Sequence, residues 1–168
     1  IGLTEAQILA LAGALSSVGI EAEAGGSAIS RVMIQIANEV ASGGKKLELF
    51  AAVAGMTVDE FRQAFQEDAA GAIVTFVEGL ARMSSEGENT FVVLDELGLA
   101  EIRVRDALLR AAGAGDLMRH SLNLATTAWA ENTALVQEAE QRYATTESQL
   151  TLLWNRIKDA GITLGDVL

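Results

Sequence analysis

The sequence contains neither proline nor cysteine, and each absence restricts the structures open to the chain. Proline normally makes up about 5% of a globular chain and is the strongest helix breaker. Its absence over 168 residues therefore favours helices throughout. Without cysteine the chain forms no disulfide and no thiolate metal site, and its redox compartment stays undetermined.

Aromatic and basic residues are scarce as well. Aromatics make up 5% of a chain that is 50% hydrophobic, so we expect a core of closely packed Ala, Leu, Val and Ile. Twelve basic residues against 23 acidic ones give a net charge of −11, which repels a phosphate backbone. The basic residues form only short pairs, such as Lys45 with Lys46 and Arg103 with Arg105. We therefore expect no direct binding to nucleic acid.

Long apolar runs are absent too. No run approaches the ~20 residues of a membrane span, and no basic stretch followed by an apolar one opens the chain as a signal peptide would. A chain of 168 residues and 17.6 kDa is one domain's worth and long enough to bury a core. It begins with Ile1 rather than Met and stops at Leu168 in mid-pattern, so we expect a fragment of a longer protein.

A row of apolar residues at seven-residue spacing runs along the C-terminal part of the chain. It comprises Leu122, Trp129, Val136, Tyr143, Leu150, Ile157 and Leu164. The companion row, three residues further on, is small or polar until Leu153. A dimeric leucine zipper has bulky apolar residues in both rows, whereas here only the first row is bulky. This pattern favours a long helix that packs closely on its own domain or on other copies. We predict a packing and self-association seam, called the heptad seam below, formed by Leu122, Trp129, Val136, Tyr143, Leu150, Leu153 and Ile157.

Apolar spacing, caps and glycine stops predict seven short helices before this seam. We place them at about 4–18, 27–42, 45–54, 58–67, 69–83, 90–97 and 101–112. The fold class is then all-α with no sheet. Residues 1–113 form a compact bundle of short helices, and residues 114–168 form a long C-terminal helix or a helical hairpin.

N-terminal caps and apolar faces are the local signals behind these helices. Thr4 is a predicted N-cap, and Thr57 with Glu60 has the spacing of a capping box. Asp116 is the predicted cap of the long helix. The predicted inward faces include Ile8, Leu11, Leu15 and Val18 in the first helix, Phe61 and Phe65 in the fourth, Ile73, Phe76, Val77 and Leu80 in the fifth, and Ile102, Leu108 and Leu109 in the seventh.

Two further predictions concern a loop and a helix, and two positions bear on the continuity of the long helix. Residues 21–26 are expected to be a loop, with Ser27 opening the second helix. Residues 90–97 have the β-branched and aromatic composition of a strand, but a lone strand has no partner, so we predict a helix. A continuous long helix would measure roughly 65 Å. Asn132 and Thr145, called soft points below, have side chains that compete for local backbone hydrogen bonds. An interruption at either residue would give a hairpin or a bent rod.

The chain carries little that suggests catalysis. Its one histidine, His120, has no neighbouring candidate ligand, and no nucleotide-binding or zinc-protease motif occurs. The adjacent carboxylates are expected to be solvated, namely Glu21 with Glu23, Glu67 with Asp68, and Asp95 with Glu96. The glycine pairs at 25–26 and 43–44 fit helix reversals better than anion binding. We therefore expect no enzyme, no catalytic residue, no cofactor and no metal.

Several stretches resemble the core region of phage tail tape measure proteins. They occur in the family's order and cover most of the chain: LTEAQILALA at 3–12, LSSVGIEAEAGGSA at 15–28, LDELG at 94–98, RVRDALL at 103–109, AWAENTAL at 128–135, Arg142-Tyr143 and SQL at 148–150.

This resemblance implies a structural protein of a phage or prophage. In that family a very long, mostly helical chain occupies the lumen of the assembling tail, and its length sets tail length until it leaves ahead of the DNA. The resemblance implies location in the virion tail, assembly in the bacterial host cytoplasm, and contacts with the tail tube, with other tail proteins and with other copies through the long helix. The alternative is an acidic helical adaptor module that binds a partner helix, which a large exposed apolar groove would favour.

Overall fold

The structure is a computed structural model that describes residues 3–132. Within that range every regular element is a helix and no residue lies in a strand, so the all-α prediction is confirmed. The helices are α1 (Glu5–Ser17), α2 (Ala22–Ser42), α3 (Lys46–Ala54), α4 (Val58–Glu67), α5 (Ala69–Ser85), α6 (Thr90–Glu96) and α7 (Ile102–Ala112). An eighth helix, α8, begins at 115 and is helical to 132.

Contacts divide the chain into two units, Ile1–Thr126 and Thr127–Leu168. The first unit contains α1 to α7 and the first turns of α8. Of the second unit the structure describes 127–132, which are helical. The predicted heptad-seam residues Val136, Tyr143, Leu150, Leu153 and Ile157, and the soft point at Thr145, lie outside the described residues.

Helix α5 is the centre of the first unit. It packs against α3, α4 and α7, and its side chains Ile73, Phe76, Val77 and Leu80 are fully buried. These residues recur at the three- and four-residue spacing that places side chains on one face of a helix. The prediction of this inward face is confirmed.

Four phenylalanines fill the space between α3, α4 and α5. Phe50, Phe61, Phe65 and Phe76 are all fully buried. The ring of Phe50 lies 5.2 Å from that of Phe76 and 6.3 Å from that of Phe61, measured between centroids. The inward placement predicted for Phe61 and Phe65 is confirmed, and this cluster joins three helices through aromatic contact.

Helices α3 and α5 cross at very short range. A Cβ atom on Gly79 of α5 would overlap the backbone carbonyl of Val53 in α3. One turn further along α5, the Arg82 guanidinium donates a hydrogen bond to that same carbonyl oxygen at 3.0 Å. The carbonyl belongs to the last turn of α3, whose oxygens have no partner within the helix, so Arg82 caps α3 while Gly79 permits the approach. The chain then turns at Gly55, whose φ is +73°.

Capping boxes begin two of the helices. Thr4 and Gln7 form one at α1, and Thr57 and Glu60 form the predicted one at α4. The Thr57 backbone N–H and hydroxyl both donate to the Glu60 carboxylate, at 2.9 and 2.8 Å, and together they lower the pKa of Glu60. A lowered pKa in the folded state means that this stabilisation is present above the carboxyl's unfolded pKa and is lost as pH falls through the folded one.

The predicted loop at residues 21–26 is wrong, because α2 begins at Ala22. The reversal is made earlier by Gly19, whose φ is +75°. Gly25 lies inside α2, where a Cβ would come within 2.8 Å of the Leu15 side chain and 3.3 Å of Ile20. Gly25 therefore serves close packing of α2 on α1, and this packing outweighs the poor helix propensity of glycine, whereas Gly26 makes no such close approach.

Three further details of the predicted faces and caps are also wrong. Ile8 and Ile102 are exposed, the latter by 73%, and α8 already includes residue 115, ahead of the predicted cap Asp116. The buried faces of α1 and α7 use alanine in place of the two isoleucines, with Ala14 in α1 and Ala107 and Ala111 in α7. Small side chains bring helix axes close together, so the bulkier residues are displaced to the outside.

Candidate functional site

The start of α8 is where the predicted heptad seam meets the bundle. Leu122, the first residue of the seam, is 4% exposed and belongs to the bundle core together with Met118. Trp129, the second, is 44% exposed. The structure therefore places Leu122 in a different environment from Trp129, and the other seam residues lie outside 3–132.

A polar contact fastens α8 to α5. Arg119 donates from Nε to one oxygen of the Glu78 carboxylate at 2.6 Å and from Nη2 to the other at 2.5 Å. The same Nη2 donates to the hydroxyl of Thr75 at 2.9 Å, and that hydroxyl donates to the carbonyl of Gly71 at 3.0 Å. We call this set of contacts the Arg119 anchor. Two parallel N–H···O bonds to one carboxylate fix the orientation of the guanidinium relative to the carboxylate as well as the distance between them.

The anchor depends on close approach of the two helices. A Cβ on Gly115 would come within 2.8 Å of Cγ of Glu78, so glycine at this position lets α8 pass beside the Glu78 side chain. The hydrogen bonds to Glu78 raise the pKa of Arg119, against the opposing effect of partial burial. The guanidinium therefore remains positively charged.

We expect Arg119→Ala to lower the free energy of unfolding by about 1 kcal/mol. Hydrogen bonds to charged groups contribute roughly 1.5–3 kcal/mol, and the partial exposure of this pair reduces that value through solvent screening. Denaturant unfolding measures the loss, and hydrogen exchange locates it at residues 115–126. The matched control is Arg62→Ala, which removes an exposed pair with Asp59 on α4; an equal loss in both variants contradicts a special role for the anchor.

An open groove lies between the α1–α2 turn, the first half of α2, and α7. Its volume is about 630 Å³. Half of its lining residues are charged, namely Glu21, Glu23, Arg31, Glu101, Arg103, Asp106 and Arg110. Arg31 lies 3.9 Å from Glu101, and Arg110 lies 3.1 Å from Asp106. The lining differs from the large apolar groove that an adaptor for an amphipathic helix would present.

The residues considered for chemistry lie at the surface. The carboxylate pairs at 21 and 23, 67 and 68, and 95 and 96 are all exposed, as is His120. Across residues 3–132 no three histidine, aspartate or glutamate side chains come together in a group able to hold a metal ion. None of the helices within that range is long and apolar enough to cross a membrane.

The sequence reasoning missed two exposed apolar surfaces. On α6 and α7, Phe91 and Ile102 are exposed, and the Arg105 guanidinium lies 4.9 Å from the centroid of the Phe91 ring. On α1, Ile8 and Leu9 are exposed. The available signal was the composition of α1, which is apolar on nearly every side and so has more apolar faces than one packing partner covers.

Comparison with known proteins gives no relative: the chain matches no known protein family, no curated protein and no solved structure.

Proposed function

We propose that this chain is a segment of a phage tail tape measure protein. The observation that carries the proposal is the ordered series of stretches, from LTEAQILALA at 3–12 to SQL at 148–150, that resembles the core region of that family. The all-helical fold and the net charge of −11 suit a structural protein that does not bind DNA directly.

The resembling stretches that fall within 3–132 coincide with parts that build the fold. LTEAQILALA contains the Thr4 cap and most of α1, and the next stretch contains the Gly19 turn and the start of α2. LDELG contains the end of α6 and the turn at Gly98, whose φ is +79°, and RVRDALL lies in α7. Motifs placed at caps, turns and buried helix faces serve structure, and this placement supports a structural family.

The proposed mechanism is measurement by residue count. A helix rises about 1.5 Å per residue, so a tail tube that polymerises until the chain inside it is covered converts chain length into tail length. The partners are the tail tube, the other tail proteins and further copies of the chain that associate through the heptad seam. The location is the virion tail, assembled in the cytoplasm of the bacterial host.

Internal deletions in the full-length protein test this proposal. Removing a helical stretch should shorten the tails in proportion to the number of residues removed, as measured by electron microscopy of purified tails. Tails of unchanged length would contradict the proposal.

A further inference from the structure

The first of the two exposed surfaces combines apolar and cationic groups. Phe91 is 53% exposed and Ile102 is 73% exposed, and Arg105 lies one turn after Ile102 with its guanidinium over the Phe91 ring. We call Phe91, Ile102 and Arg105 the α6–α7 patch. Aromatic and arginine side chains are the residues that contribute most to binding energy at protein interfaces.

The arginine of this patch has no carboxylate partner among the described residues. Among the described residues, Arg31, Arg62, Arg110 and Arg119 each have a carboxylate within 4.0 Å. Arg82, Arg103 and Arg105 have none in that part of the chain, although the sequence has nearly twice as many acidic as basic residues. Of these three, Arg82 is bonded to the Val53 carbonyl, and Arg105 lies over the ring of the exposed Phe91. The Arg105 cation is therefore available to a carboxylate from outside the bundle, and a partner that covers Phe91 and Ile102 would also shield the pair from water.

The second surface has the complementary composition. Glu5, Ile8 and Leu9 lie three and four residues apart on α1 and therefore share one side of the helix; we call them the α1 face. All three are exposed, Leu9 by 66%. Glu5 has no basic side chain within 4.0 Å among residues 3–132. The principal packing of α1 is against α2, and within residues 3–132 this face remains exposed.

We propose that the α1 face of one copy docks on the α6–α7 patch of a second copy. Ile8 and Leu9 cover Phe91 and Ile102, and the Glu5 carboxylate pairs with the Arg105 guanidinium. Because the two surfaces differ, the contact is heterologous, and each copy keeps one of each surface for a further neighbour, so that the copies form a ring or an open row. This contact uses neither the heptad seam nor any property of a tail.

A charge-swap experiment tests the contact. Sedimentation velocity is run over a range of concentrations on the full chain carrying Leu150→Asp and Ile157→Asp, so that the heptad seam does not contribute. Self-association is expected, and Glu5→Lys or Arg105→Glu alone should weaken it by about tenfold or more, since like charges then face each other. The double reversal should restore it. A chain that stays monomeric at every concentration, or a double reversal that fails to restore association, would overturn the proposal.

Two aspartate substitutions separate the docking surface from general surface apolarity. Ile102→Asp should abolish association, because it places a carboxylate under Ile8 and Leu9 of the neighbour and beside the neighbour's Glu5. Ile34→Asp is the matched control, since Ile34 is exposed on α2 outside both surfaces, and association should persist. Equal loss in the two variants contradicts docking through the α6–α7 patch.

Discussion

Replacing Phe76 by alanine is expected to lower the free energy of unfolding by about 3–5 kcal/mol. Phe76 is fully buried on α5, and its ring contacts that of Phe50 on α3. Truncation removes the apolar surface buried by the ring and leaves a cavity between helices that also hold each other in place through Phe61. Urea unfolding monitored by circular dichroism measures the change.

The control for this variant is Phe91→Ala. Phe91 is also a helical phenylalanine, but it is exposed and contacts Arg105 from outside the core. Its loss should cost about 1 kcal/mol or less, the size of an exposed cation–π contact. If the two substitutions cost the same, the phenylalanine cluster is not the centre of the core.

The second large effect is expected at Gly79. Glycine to alanine inside a helix usually stabilises by about 1 kcal/mol. At Gly79 the added methyl would overlap the carbonyl of Val53, forcing α3 away from α5 and breaking the hydrogen bond from Arg82. We therefore expect Gly79→Ala to destabilise the bundle by about 2–3 kcal/mol, measured by the same urea titration.

The control for Gly79→Ala is Gly26→Ala, which should change the free energy of unfolding in the opposite direction. Gly26 lies within α2, and a Cβ there meets no atom within 4 Å. This substitution should stabilise the protein by up to about 1 kcal/mol. A stabilising effect at both glycines would mean that α3 and α5 do not cross as closely as the structure places them.

The parts of this fold that sequence alone predicted rest on local rules. The inward face of α5 follows from helical spacing, the Thr57–Glu60 box from residues three apart, and the ends of α2 and α3 from Gly43 and Gly55, both of which adopt positive φ. Each signal is contained in one or two turns of chain. These local preferences predict the structure correctly because the tertiary packing favours the same conformations.

The parts that sequence did not predict depend on contacts between distant residues. Arg119 and Glu78 are 41 residues apart, and no pattern within either helix indicates that they meet. Apolar spacing predicts Ile8 and Ile102 on the buried faces of α1 and α7, whereas the observed faces include Ala14, Ala107 and Ala111. Heptad spacing marked Leu122, but it does not show whether the bundle or another copy covers a given seam residue.

The slope of tail length against residues deleted tests the proposed function most directly. In-frame deletions of increasing length within helical stretches of the full-length protein should shorten the tails by about 1.5 Å per residue. Gly79→Ala, which disturbs packing without changing the residue count, should leave tail length unaltered wherever tails form. A slope of zero across the deletions would contradict the assignment of this chain to a length-determining tail protein.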